Sequence, residues 1–194
     1  MMKFDTPILN LVGGPGTGKS TTMAGTFFEL KSRGITAEMA PEWFKAKVWE
    51  GTADKLVGDQ LYITAKQNHE FHRLMNTGVQ VVVTDCPLLL ALVYGEKESD
   101  IFKQMVVDTF MRYNNTVVFL NRVKSYDPQG RMQTQEQAQG IDVKVKDIMN
   151  FLGIPFTEVD ACPEAPKVLA DMMEKVINPS GSYVRSFRES GGTL

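Results

Sequence analysis

Cysteine and histidine are almost missing from this chain of 194 residues, which has two of each. Cys86 and Cys162 lie far apart and outside any C-x-x-C or mixed Cys/His spacing. That excludes a disulfide scaffold and a zinc ribbon, and leads us to expect a reduced, cytoplasmic setting. His69 and His72 stand in the run "HEFH", which lacks the i, i+4 histidines of a zinc helix. Neither charge sign dominates. With 21 Lys and Arg against 23 Asp and Glu, the formal charge of −2 gives no global attraction for nucleic acid, so any such contact must be local. The longest apolar run, "PLLLALVY" at 87–94, is too short to cross a bilayer, and the N-terminus lacks a signal-peptide layout. A soluble protein with no membrane partner is the expectation. There is no repeat at solenoid periods.

What is there suits one α/β domain. Apolar content of 43% and charged content of 23% are ordinary for a globular chain, and the length favours one core over two. The domain is expected over 1–177. The segment 178–194, "NPSGSYVRSFRESGGTL", is rich in Ser and Gly and reads as a flexible tail.

The most informative stretch is "LVGGPGTGKSTT" at 11–22. Gly13, four residues, then Gly18-Lys19-Ser20 form a phosphate-binding pattern, in which glycines let backbone N–H groups close around phosphate oxygens. Lys19 can reach the β/γ-phosphates and Ser20 can ligate Mg²⁺; Gly14, Gly16, Thr17, Gly18 and Thr21 complete the candidate ATP-binding set. The context has the required order. "TPILNLV" at 6–12 reads as a buried strand, and the helix that follows is expected over 20–34.

Four further strands are expected: "ITAEMA" (35–40), "VQVVVTD" (79–85), "TVVFL" (116–120) and "PFTEV" (155–159). Helices are expected between and after them, over 54–78, 100–113, 134–153 and 163–177. Short apolar strands alternating with helices imply a parallel sheet covered on both faces. Ligands of such sheets collect at the carboxyl ends of the strands, which makes Glu42, Asp85, Arg122 and the segment 160–163 candidates beside the phosphate loop.

In "GGPGTGKST", "APEWFKAKVWEG", "VVVTDCPLLLALVYG" and "FLNRVKSYDPQGRMQT" the chain resembles the P-loop nucleoside and nucleotide kinases, thymidylate kinases among them, and in particular a branch of small bacteriophage kinases. The resemblance covers nearly everything up to residue 177. It implies a three-layer fold with five parallel strands in the order 2-3-1-4-5 and an arginine-bearing lid, here about 121–133. It also implies ATP and Mg²⁺ as cofactors, a host-cytoplasmic location if the chain is phage-encoded, and a hydroxyl acceptor. Some phage relatives of thymidylate kinases phosphorylate the hydroxymethyl group of 5-hydroxymethyluracil in DNA. The acceptor therefore stays open between modified DNA, a free nucleoside, a nucleotide and a small metabolite, and a homodimer is compatible with the family.

Phosphoryl transfer needs alignment and charge neutralisation more than covalent help. Asp85 is expected to hold Mg²⁺ opposite Ser20, the alternative being an N-cap for the helix that follows. In related nucleoside kinases an acidic residue after the second strand takes the acceptor proton, a role that falls here on Glu42; a first-turn glutamate favoured by the helix dipole is the plainer reading. Arg131 is expected to close over the phosphoryl group from the lid, with Arg122 covering the nucleotide. Trp43, Phe44, Gln60 and Gln67 are acceptor candidates, by stacking and by base-edge pairing, with core packing or solvent exposure as the alternatives. No N-K-x-D segment marks a GTPase, and Cys86 stands where a motor ATPase would place a water-activating glutamate after Asp85. A nucleotide-binding regulatory subunit without turnover is the rival from outside enzymes.

Overall fold

Side chains along a strand alternate between faces, so a strand that is apolar at every position must be covered on both sides. β1 (Pro7–Val12) is buried along its whole length. It is the central strand of a five-stranded parallel sheet in the order β2-β3-β1-β4-β5. The computed structural model describes residues 3–123 and 134–179. After β1 the described elements are α1 (Lys19–Ser32), β2 (Ala37–Met39), α2 (Trp43–Trp49), a 3-10 turn (Ala53–Lys55) and α3 (Gln60–His72). They continue with β3 (Val81–Thr84), α4 (Leu90–Tyr94), α5 (Asp100–Phe110), β4 (Asn114–Asn121), α6 (Gln135–Phe151), β5 (Thr157–Asp160) and α7 (Ala165–Ile177). The fold class and strand order are those expected.

The strand periodicity divides the core into two layers. Ile8, Val12, Val82, Val117 and Phe119 point to one face, where Phe71, Leu90, Phe110, Val145 and Met149 of α3–α6 cover them. Leu9, Leu11, Val81, Val83, Val118 and Leu120 point to the other, against Met23 and Leu30 of α1 and Leu169 and Met173 of α7. Among the described residues no helix is long and apolar enough to cross a membrane.

Two expectations need correction. The single long helix over 54–78 is a 3-10 turn followed by the shorter α3, because the Asp59 side chain accepts the Tyr62 N–H and starts a new helix there. Beyond α3, Asn76 and Gly78 take positive φ, which no helix continues. Between β2 and the 3-10 turn the segment "WFKAKVW", expected as no helix, forms α2 directly after Glu42. The lid residues 124–133, with Arg131, and the tail from 180 lie outside the described residues.

α1 and α7 pack closely enough that a Cβ on Gly25 would lie 2.6 Å from Pro166 Cγ and 2.9 Å from its Cβ. Replacing a mid-helix glycine by alanine ordinarily gains about 0.5–1 kcal/mol. Overpacking a fixed proline ring costs about 1–3 kcal/mol, which is the larger effect. Gly25→Ala is therefore expected to destabilise the fold, read as a lower urea midpoint with unchanged m-value.

Candidate active site

The carboxyl ends of β1, β2 and β3 bring three chain segments together. The phosphate loop leaves β1 through backbone that only glycine adopts readily: Gly18, the residue before α1, has φ 95°. Gly14 is required for space, since a Cβ there would sit 2.3 Å from the Ala138 carbonyl oxygen. α1 opens with no side-chain cap and no acidic residue in its first turn. Its free N–H groups and positive dipole end suit an anion. Lys19 Nζ donates to the carbonyls of Gly13 and Gly14 at 2.7 and 2.9 Å, spanning the loop from within. Burial pulls its ammonium below the ordinary lysine range, while Glu42, Asp85, Cys86 and Asp142 act in the other direction.

Asp85, buried at the end of β3, joins the other two segments. Its Oδ2 accepts from Ser20 Oγ at 2.5 Å and its Oδ1 from the Glu42 N–H at 2.9 Å. The ends of β2 and β3 are held in register by the Ala40 N–H, which donates to Val83 O, and by Thr84 Oγ1, which donates to Ala40 O. The hydroxyl of Ser20 beside the carboxylate of Asp85 is a pair of hard oxygen donors that suits Mg²⁺, which keeps water and phosphate oxygens for its other positions. Among the described residues no group of three or more His, Cys, Asp or Glu gathers at a metal distance.

Glu42 lies on the wall of a cavity of about 310 Å³ between the phosphate loop, α2, α3 and α4. Burial, with Asp85 adding to it, raises the Glu42 carboxyl above its ordinary range, against the opposite pull of Lys19 and Lys45. The Cys86 thiol is pushed well up by burial and by Glu42 and Asp85, so it is a poor nucleophile there.

The other candidates divide. Gly16, Gly18, Lys19, Ser20, Thr21, Phe44, Gln60 and Gln67 line the cavity. The Gln67 amide is occupied: its Oε1 accepts the Trp43 N–H at 3.0 Å and its Nε2 donates to Pro41 O at 3.3 Å, fixing the peptides on either side of Glu42. Trp43 does not line the cavity, contrary to its expected stacking role. The helical period of α2 puts residues 44, 45, 48 and 49 on the cavity side, Trp49 at its exposed rim, and sets Trp43 against Tyr62 with Lys47 over its ring. Trp49, which does line the cavity, is the aromatic residue in that place. Thr17 is buried and donates to Gly14 O, inside the loop's own scaffold.

Arg122 also reaches the loop from the side. It donates to Pro15 O at 2.9 Å and to Asp142 Oδ2 at 3.0 Å, while Asp142 Oδ1 accepts the Gly14 N–H. Asp142, Lys45 and Thr64 were missed from sequence. Asp142 belongs to an α6 stretch that reads as a solvated face, and no spacing ties it to residue 14. Lys45, three residues after Glu42, would have been found had α2 been recognised: its Nζ donates to Ser20 Oγ at 3.1 Å. Thr64 lines the cavity with a buried hydroxyl that has no protein partner, a polar group available to a ligand.

A glycine loop between strand and helix, with a lysine, a serine and a strand-end aspartate in contact around it, defines a P-loop nucleotide-binding protein. Residues 9–165 match a family model described as an AAA domain, and the chain belongs to that family. No curated protein matches the chain. Among solved structures, a crystal structure of NadR protein in complex with NR is similar, with a TM-score of 0.66 at 16% identity, over 87% of this chain and 52% of that one. The chain thus spans about half the length of that protein, and the likeness is one of fold.

The Arg122–Asp142 pair is largely buried, with side-chain exposures of 13% and 20%. Exposed pairs contribute up to about 1 kcal/mol, and breaking a fully buried one costs about 3–5 kcal/mol. Asp142→Ala should therefore cost about 2 kcal/mol in chemical denaturation, and Asp142→Asn less, because its amide oxygen can still accept from Gly14.

Proposed function

We propose that the protein is an ATP- and Mg²⁺-dependent kinase that transfers the γ-phosphoryl group to a hydroxyl of a nucleoside-like acceptor. The observation that carries this reading is the position of Glu42. It lies on the wall of the cavity that the phosphate loop also lines, its backbone fixed by Asp85 and Gln67 and its carboxyl raised by burial above the ordinary glutamate range.

The roles follow from that placement. The loop N–H groups and the first turn of α1 bind the donor phosphates, and Lys19 supplies positive charge at the β/γ-oxygens. Ser20 and Asp85 would hold Mg²⁺, which when bound neutralises charge on the phosphates. Glu42 accepts the proton of the acceptor hydroxyl as its oxygen bonds to phosphorus, and the bond from phosphorus to the β–γ bridging oxygen breaks to release ADP. Phe44, Val48, Trp49, Ile63 and Leu90 form an apolar slot for a planar ring, in which Thr64 and Gln60 offer hydrogen bonds to its edge. Cys86 after Asp85 supports acceptor transfer over water activation, because no carboxylate stands at that position to polarise water. Arg131 is assigned the closing contact of the lid. A free nucleoside, a nucleotide and the hydroxymethyl group of 5-hydroxymethyluracil in DNA are the acceptors this slot would serve, in a cytoplasmic setting.

The deciding experiment offers γ-labelled ATP with nucleosides, nucleotides, ordinary DNA and hydroxymethyluracil-containing DNA, and asks which pool becomes labelled. Label in none of them, with ATP still bound, would favour a regulatory nucleotide-binding protein. Lys19→Ala should abolish transfer and leave the melting temperature near that of the parent. Glu42→Gln should keep ATP binding and lose about 10²–10⁴-fold in kcat, the ordinary contribution of a general base.

The pH profile provides a separate check. A carboxyl with a raised pKa keeps its proton to higher pH, and the protonated form cannot accept another. The acceptor kcat/KM should therefore fall as pH drops, with an inflection above the ordinary glutamate value of about 4.3. An inflection at or below that value would remove Glu42 from the base role.

A further inference from the structure

The Ser20 hydroxyl is shared between two demands. It donates to Asp85 Oδ2 at 2.5 Å and accepts from Lys45 Nζ at 3.1 Å. The same oxygen is the metal ligand of the phosphate loop in the kinase reading, on which this inference rests. An ammonium and a divalent cation on one hydroxyl oxygen repel strongly in a partly buried site. We propose that Lys45 competes with the divalent cation for Ser20, so that loading of the metal–nucleotide complex releases the first turn of α2 from the phosphate loop.

The attachment of α2 makes such a release consequential. α2 is a helix of seven residues with no buried side chain. What ties its N-terminal end to the site is polar: the Glu42 N–H on Asp85, the Trp43 N–H on Gln67, and Lys45 on Ser20. The first runs through Asp85 and the last through Ser20, both assigned to the metal, but only the last places a cation on the ligand atom itself. The same helix supplies Phe44, Val48 and Trp49 to the cavity wall. Lys45 thereby links the donor half of the site to the acceptor half. From its place on Ser20 its ammonium also favours the charged form of Glu42, on the same turn. Lys45 is in this sense a positioning residue, acting through Ser20 and α2.

The test uses Mn²⁺ as the metal and ADP as the nucleotide, so it needs no acceptor. Free Mn²⁺ is counted by electron paramagnetic resonance at saturating ADP for the parent protein, Lys45→Met, Lys45→Gln and Lys45→Arg. Both neutral variants should bind Mn²⁺ roughly 5-fold or more tightly than the parent, the lower end of ordinary coupling between sites, while Lys45→Arg stays near the parent. Lys45 is on a surface helix, and methionine, glutamine and arginine are all good helix formers, so equal melting temperatures are expected. Amide exchange across 43–49 gives a second readout. It should rise when Mn²⁺ and ADP are added to the parent, and in Lys45→Met it should be high without them.

Unchanged or weaker Mn²⁺ binding in both neutral variants would overturn the competition while leaving the kinase reading in place. Failure of the parent to bind Mn²⁺ with ADP at all would overturn the kinase reading, and this inference with it.

Discussion

The carboxylate of Asp85 is the joint on which the site depends. One oxygen takes the hydroxyl of Ser20 at the start of α1, and the other takes the backbone N–H of Glu42 at the start of α2. Without it the phosphate loop and the segment after β2 would be joined by Lys45 on Ser20 and by the sheet beneath them. A carboxylate can do this because it has two acceptor oxygens and no donor, and because burial at the end of β3 restricts it to one orientation. The parallel sheet is what makes the joint available. β1, β2 and β3 are adjacent and run in the same direction, so the three segments that leave them emerge side by side at one edge.

Much of this layout was legible in the residues, for reasons that differ by element. β1 and the phosphate loop announce themselves locally, through an apolar run ending in glycines whose spacing the phosphate geometry dictates. Asp85 was legible because a strand end in a parallel sheet is a place for ligands, and the apolar strand "VVVT" fixes where that end falls. The strand order came from resemblance to kinases, since periodicity pairs no strands, and the sheet has that order.

What was not legible is long-range or depends on a short helix. No rule of sequence spacing joins Asp142 to Gly14, because their contact arises where α6 crosses the loop. α2 escaped notice because seven residues hold too little periodicity to separate a helix from a loop, and its rotation decides which aromatic residue faces the cavity. Trp43 and Trp49 are equally plausible stacking groups by type. Only the turn of the helix places Trp49 at the cavity rim, still largely exposed, and Trp43 against Tyr62. Gln67 illustrates a different limit. A polar residue on the apolar side of a helix suggests a ligand, but backbone groups at Pro41 and Trp43 satisfy it first.

Several groups that weaken the fold locally line this cavity. A lysine with a lowered pKa, a glutamate with a raised one and a threonine hydroxyl with no partner each cost stability where they stand. Outside the site both sheet faces are covered mainly by apolar side chains, with Asn10 of β1 a buried polar exception, and surface charges are paired at α1 and α7, where Arg33 meets Glu29, Asp171 and Glu174. The contrast carries an argument about ligands. In the proposed reaction, desolvation that disfavours a charged lysine would be offset by phosphate oxygens, and the threonine hydroxyl would be satisfied by a polar ring edge in the slot. Each local cost is of the kind that the donor and acceptor of the proposed reaction would remove, so these groups are consistent with that proposal.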